Sequence, residues 1–118
     1  IDRGNRQVAY LWDPLHPAIL RMVRRIADVG REYGVPVAMC GEMAGEPIHV
    51  PILIGLGIAD WSMNPNAIPA VKRMVRSLEA APCRDFIEEV SGLACAKEIN
   101  KLAWQTFGET LTGQAFKE

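Results

Sequence analysis

The chain has little of what usually marks a specialised role. Neither charge sign dominates: across 118 residues the formal net charge is −1. There is thus no basic footprint of the kind nucleic acids or anionic membranes require. No apolar run reaches the roughly 20 residues that span a bilayer. The longest, Ile48 to Ile58, is interrupted by Pro51, Gly55 and Gly57. Cysteine is scarce: Cys40, Cys83 and Cys95 make an odd count with no CxxC pair, so neither a disulfide framework nor a zinc site is indicated. Such usage fits a reducing cytoplasm. Histidine is scarcer still, limited to His16 and His49. Internal repeats and low-complexity segments are lacking.

What remains is an ordinary globular composition, 49% hydrophobic, in a length suited to one core. Ile1-Asp2-Arg3-Gly4 carries no initiator Met and reads as mid-domain sequence. The expectation is a piece of something longer.

Local signals order the chain. Arg3-Gly4-Asn5 is a turn, and Val8 to Trp12 is a short apolar run ended by Asp13-Pro14. A helix is expected over Pro17 to Tyr33, with Pro17 in its first turn, Gly34 as its C-cap, and Ile19, Leu20, Val23, Ile26 and Ala27 on the inner face. Arg21, Arg24, Arg25, Asp28, Arg31 and Glu32 mostly take the outer, solvated face. Val35 to Met39 reads as a buried parallel strand, Val50 to Gly57 as a short helix, and Ala59 to Met63 as a second strand. Asn64-Pro65-Asn66 is a turn. Ile68 to Leu78 is helical, with Val71, Met74, Val75 and Leu78 inward. Arg84 to Val90 and Ala94 to Phe107 are further helices, and Leu111 to Glu118 frays. The pattern is α/β with a parallel sheet, but two parallel strands leave bare edges and do not make a stable sheet alone.

The chemistry gathers at Met39-Cys40-Gly41-Glu42-Met43-Ala44-Gly45-Glu46-Pro47. A cysteine ending a strand, followed by glycine and a carboxylate, is presented where ligands bind in such folds, beyond the carboxyl ends of the strands. Cys40 can be read as nucleophile, proton donor or buried small residue. A nucleophile wants a base within reach, and only His49 is near in sequence. His16 reads as a loop or first-turn residue, and Cys83 and Cys95 as helix packing residues. On residue physics alone Arg3, beside Gly4, reads first as a surface arginine, although the turn also suits it to hold a phosphate or carboxylate bidentately. Asp2, Glu42 and Glu46 lack a diagnostic metal-ligand spacing.

Asp2-Arg3-Gly4-Asn5, Tyr10 to Pro17, Met39-Cys40-Gly41-Glu42-Met43-Ala44-Gly45, Gly55-Leu56-Gly57 through Ser62-Met63, and Ile68 to Arg73 together resemble the enzyme I family of the bacterial sugar phosphotransferase system. These are the phosphoenolpyruvate–protein phosphotransferases. The likeness is close over residues 1–80 and loose beyond. Dikinases and synthases acting on pyruvate share the Cys-Gly-Glu core, but their usual His-Gly-Gly-type continuation is Met43-Ala44-Gly45 here.

The resemblance implies a fold, a chemistry and partners. The family's phosphoenolpyruvate-binding domain is a (β/α)8 TIM barrel, which needs about 250 residues. Residues 1–80 would be its C-terminal portion, with Val35–Met39 the seventh strand and Ala59–Met63 the eighth, and residues 81–118 a helical extension. In the family, phosphoenolpyruvate gives its phosphoryl group to a histidine on a separate N-terminal domain, which passes it to a histidine-containing phosphocarrier protein for sugar uptake. The cysteine at Cys40 protonates the remaining enolate to pyruvate. A thiol suits that step, its ordinary pKa of about 8.5 lying near the working pH. The arginine at Arg3 binds the substrate phosphate.

The ligands of the family's Mg2+ and its phosphorylated histidine have no counterpart here and are expected upstream of Ile1. The chain alone is therefore expected to be inactive. Asn64 stands where the family usually has serine or another small residue. A nitrogen-regulatory branch shares the chemistry and differs in N-terminal sensory domains. The family's domain forms dimers. A non-catalytic, oligomerising fragment is the competing expectation, motivated by the bare strand edges.

Overall fold

The computed structural model describes residue 2 and residues 4–113. After a 3-10 turn at Ala9–Leu11, the elements run α1 (Pro17–Tyr33), β1 (Ala38–Cys40), α2 (Glu42–Gly45), α3 (Val50–Gly55), β2 (Asp60–Ser62), α4 (Ile68–Arg76), α5 (Ala80–Val90) and α6 (Ala96–Gly113). Further 3-10 turns at Pro47–His49 and Pro65–Ala67 lead into α3 and α4.

α1 has the expected bounds because both ends are written into the chain. The ring Nδ1 of His16 accepts from the Ala18 N–H at 3.2 Å, and Pro17 fills the first helical position, where no N–H is needed. At the other end Gly34 adopts φ 67, and the Val35 N–H donates to the Gly30 carbonyl at 2.8 Å. That closure is a Schellman-type cap, and it shortens the next element. Val35 is spent on the cap and Pro36 has no N–H, so β1 starts at Ala38 rather than Val35.

β1 and β2 pair in parallel, with Ala38 opposite Asp60, Met39 opposite Trp61 and Cys40 opposite Ser62. Both strands show the same alternation: the central residue is half-buried and the outer two are exposed. Met39 and Trp61 pack on the core, and the Trp61 Nε1–H donates to the Ile58 carbonyl at 2.8 Å. The other sheet face, carrying Ala38, Cys40, Asp60 and Ser62, is uncovered.

The core lies on the helical side. Ile52 and Leu53 of α3, Met74 of α4, Cys83 of α5 and Ile99 of α6 are fully buried. Phe86 meets Phe107 edge to face at 5.1 Å, holding α5 against α6, an arrangement contributing about 0.5–1.5 kcal/mol beyond burial. α3 lies directly on α5, so closely that a Cβ on Gly55 would run into the Cys83 carbonyl and the Ile87 side chain.

Several expectations change. Ile19 and Ile26 of α1 are 42% and 53% exposed, leaving Leu20, Ala27 and the half-buried Val23 inward. Val75 is exposed, not inward. α5 begins at Ala80, because Pro82 falls in its first turn, where a missing N–H is harmless. Cys95 precedes α6 and is exposed, so it is not a packing residue. α6 runs on to Gly113, past the expected fraying point at Leu111, and residues 114–118 lie outside the described residues.

Candidate functional site

Cys40 is the last residue of β1, and its thiol is exposed on the uncovered sheet face at the carboxyl ends of both strands. The parallel register sets Ser62 beside it. Ser62 and Asp60 were not singled out from the sequence. The signal was available in parity: residues 38 and 40, and 60 and 62, share a face once the strands pair.

The chain leaves β1 through Gly41 at φ 78 and ψ −158. Only glycine takes this conformation freely, and it turns the backbone sharply off the strand. α2 follows as a single turn anchored by Met43 and Ala44, which are buried, while Glu42 and Glu46 stay exposed. Gly41, Glu42, Gly45, Glu46, Asn64 and Ala67 enclose a cleft of about 370 Å3 beyond the strand ends. Asn64 Oδ1 accepts from the Asn66 N–H at 3.0 Å. The unexpected asparagine thus caps its own loop rather than distorting it.

His49 is not set up as a base for the thiol: its ring is buried with Nδ1 unpartnered, whereas Cys40 is exposed. It ends the Pro47–His49 turn, only 8% exposed, with Nδ1 lacking any hydrogen-bond partner. Burial pushes its pKa below the ordinary value, against upward pulls from Glu46, the Met43 carbonyl and Asp13. The folded chain therefore holds the ring neutral, whereas the unfolded chain binds the proton more readily. Stability is full above the ordinary histidine pKa of about 6.5 and declines as pH falls below it. The urea midpoint is expected to drop between pH 7.5 and 5.5, and to drop less in His49→Gln. Parallel pH profiles for the two proteins would remove His49 from the account. Burial likewise pushes the Cys83 thiol up, as befits an inert core cysteine.

Asp2 Oδ1 accepts from the Gly4 N–H at 2.9 Å. Arg3 itself lies outside the described residues, so the substrate-binding expectation for it meets no geometry here. Among the described residues no three His, Cys, Asp or Glu side chains converge to hold a metal ion. Asp2, Glu42 and Glu46 do not converge into such a group. Nor, among the described residues, is any helix long and apolar enough to cross a membrane.

An exposed thiol at the carboxyl end of a parallel strand, above a glycine turn and an open cleft, lies where α/β folds place their ligand sites. The family follows from comparison. The model of the PEP-utilising enzyme, PEP-binding domain, matches residues 1–80, and the chain belongs to that family. Similar curated proteins include the phosphoenolpyruvate-protein phosphotransferase of Mycoplasma pneumoniae, 36% identical over 106 residues, or 90% of this chain and 18% of the relative. The enzyme of the same name from Geobacillus stearothermophilus is 39% identical over 106 residues, with the same coverage. Multiphosphoryl transfer protein 1 of Escherichia coli is 37% identical over 102 residues, covering 86% of this chain and 12% of that protein. The chain thus spans less than a fifth of the length of these relatives.

Proposed function

We propose that this chain is the C-terminal portion of a phosphoenolpyruvate–protein phosphotransferase, supplying the last two βα units of a (β/α)8 barrel and the helices that follow. The observation that carries the reading is the one-sided sheet. Two parallel strands have helices on one face only, and the other face is open, with Cys40 at its carboxyl end. A barrel interior is such a face, and its catalytic groups stand at the carboxyl ends of its strands. Residues 1–80 are the barrel part, and α5 and α6 the helical extension.

In this reading the parent transfers the phosphoryl group of phosphoenolpyruvate to a histidine elsewhere in its chain and on to a phosphocarrier protein in the cytoplasm. Arg3 holds the substrate phosphate. Cys40 Sγ–H donates its proton to the methylene carbon of the enolate, which becomes the methyl of pyruvate, and the thiolate is reprotonated from solvent. A magnesium ion, if the parent uses one to offset the transferring phosphoryl charge, would be held by residues outside this segment. The parent is a homodimer.

The isolated chain is then expected to form no pyruvate from phosphoenolpyruvate and Mg2+. It is also expected to self-associate, because Ile19, Met22, Ile26 and Tyr33 expose one continuous apolar edge of α1. The test is a titration of the chain with phosphoenolpyruvate and Mg2+, following the Gly41 amide and pyruvate release together. Pyruvate formation by the chain alone, or a clean monomer at tens of micromolar, would overturn the fragment reading. A weak Gly41 shift without turnover is the expected outcome.

A further inference from the structure

A second cleft, of about 410 Å3, lies at the opposite end of the strands from Cys40, where the turn after α3 leads towards β2. Its walls are Arg24, Asp28 and Arg31 of α1 and Arg84 and Glu88 of α5, and its floor includes Gly57. Arginines at 24 and 31 with Asp28 between them follow the i, i+4, i+7 spacing of one helical face. Across the cleft, α5 presents Arg84 and Glu88 at i and i+4. Cations therefore exceed anions by one.

Arg24 and Arg31 are held in place, and all three arginines are far from saturated. Arg24 donates to Glu88 Oε1 at 2.6 Å and to Ser91 Oγ at 3.3 Å, bridging α1 and α5. Arg31 donates from Nη1 to Asp28 at 3.1 Å, while its Nη2 lies over Gly57, occupying the space a Cβ there would take. Arg84 has no ion-pair partner among the described residues. A guanidinium carries about five N–H donors in a rigid fork, so most donors of this trio lack a protein acceptor. A carboxylate would fill one fork. A phosphate group has oxygens enough for two forks, and the excess of one positive charge in the cleft favours an anion there.

We propose that this cleft binds the phosphate group of a small metabolite, with Arg31 and Arg84 as its ligands and Arg24 fixing the wall. The inference is independent of the reading of Cys40. A ligand there would join α1, α5 and the turn leading into β2, the strand whose Ser62 stands beside Cys40. Such a site would be suited to regulating the parent by a phosphorylated metabolite rather than to its chemistry.

The test is a titration of the whole chain with inorganic phosphate, against sodium chloride at matched ionic strength, reading the Gly57 amide and the Arg84 Nε–H by NMR and the thermal midpoint alongside. Saturable shifts at both positions, a rising midpoint, and at least a tenfold loss of affinity in Arg84→Gln but not in Arg25→Gln are expected. Arg84 and Arg25 are both exposed, so neither substitution threatens folding. Shifts that sodium chloride reproduces, shifts unchanged in Arg84→Gln, or shifts confined to the Gly41 turn would each overturn the proposal. The last outcome would instead place phosphate at the candidate site.

Discussion

Replacing Cys40 by alanine in the full-length parent is expected to lower pyruvate release by about 100- to 10,000-fold, the usual worth of a positioned general acid. The stability of the present chain should barely change, because Cys40 is exposed in it and the substitution opens no cavity and leaves no buried polar group unpaired. A large kinetic effect with an unchanged urea midpoint would assign the loss to chemistry. Cys40→Ser sharpens the test, because it keeps the shape and replaces the thiol with a far weaker acid. It is expected to be nearly as deficient as alanine. Serine activity within a few-fold of the parent's would mean the thiol is not the proton donor. The defect should also concentrate in the enolate-protonation half of the cycle, so that phosphoenolpyruvate binding falls much less than pyruvate release does.

The largest stability effect is expected at Gly55. An alanine there would drive its Cβ into the Cys83 carbonyl and the Ile87 side chain. A flexible side-chain tip can move away, but a helix carbonyl cannot do so without separating α3 from α5. These helices share the most extensive helix–helix contact among the described residues. Overpacking of this kind costs about 1–3 kcal/mol, a large part of the roughly 5–15 kcal/mol that holds a domain together. Urea unfolding of Gly55→Ala should therefore shift strongly to lower midpoint. Gly92→Ala is the comparison: φ there is not positive, and a Cβ would meet nothing closer than the Glu89 carbonyl at 3.7 Å. If Gly55→Ala were as stable as the unsubstituted chain, the close α3–α5 approach would be wrong.

The dependence of stability on His49 shows how far sequence reading reached. Its closeness to Cys40 in sequence suggested a possible base. The Pro47–His49 turn instead buries the ring with an unpartnered Nδ1. Nothing in one sequence tells which side of a three-residue turn faces the core. The same holds for α1. Its apolar positions cover a broader arc than one contact can bury, so pattern alone could not say that Leu20 and Ala27 go inward while Ile19 and Ile26 stay out. The Arg24–Arg31–Arg84 cleft was hidden for a related reason. The α1 charges read as a solvated face, and only packing brings α5 opposite them.

The sequence by itself determined whatever depends on near neighbours along the chain. Pro17 and Gly34 bound α1, the Cys40-Gly41 junction ends a strand in a turn that needs positive φ, and the motifs around Arg3 and Cys40 carry the family resemblance. Only the tertiary structure decided what depends on distant partners. It trimmed β1 to Ala38–Cys40, because Val35 closes the helix cap and Pro36 has no N–H to offer β2. It set Ser62 beside Cys40, and it left one sheet face bare. Hydrogen-bond geometry and capping act over a few residues and are written locally, whereas strand register and helix burial are settled by whichever residues far along the chain arrive to complete them.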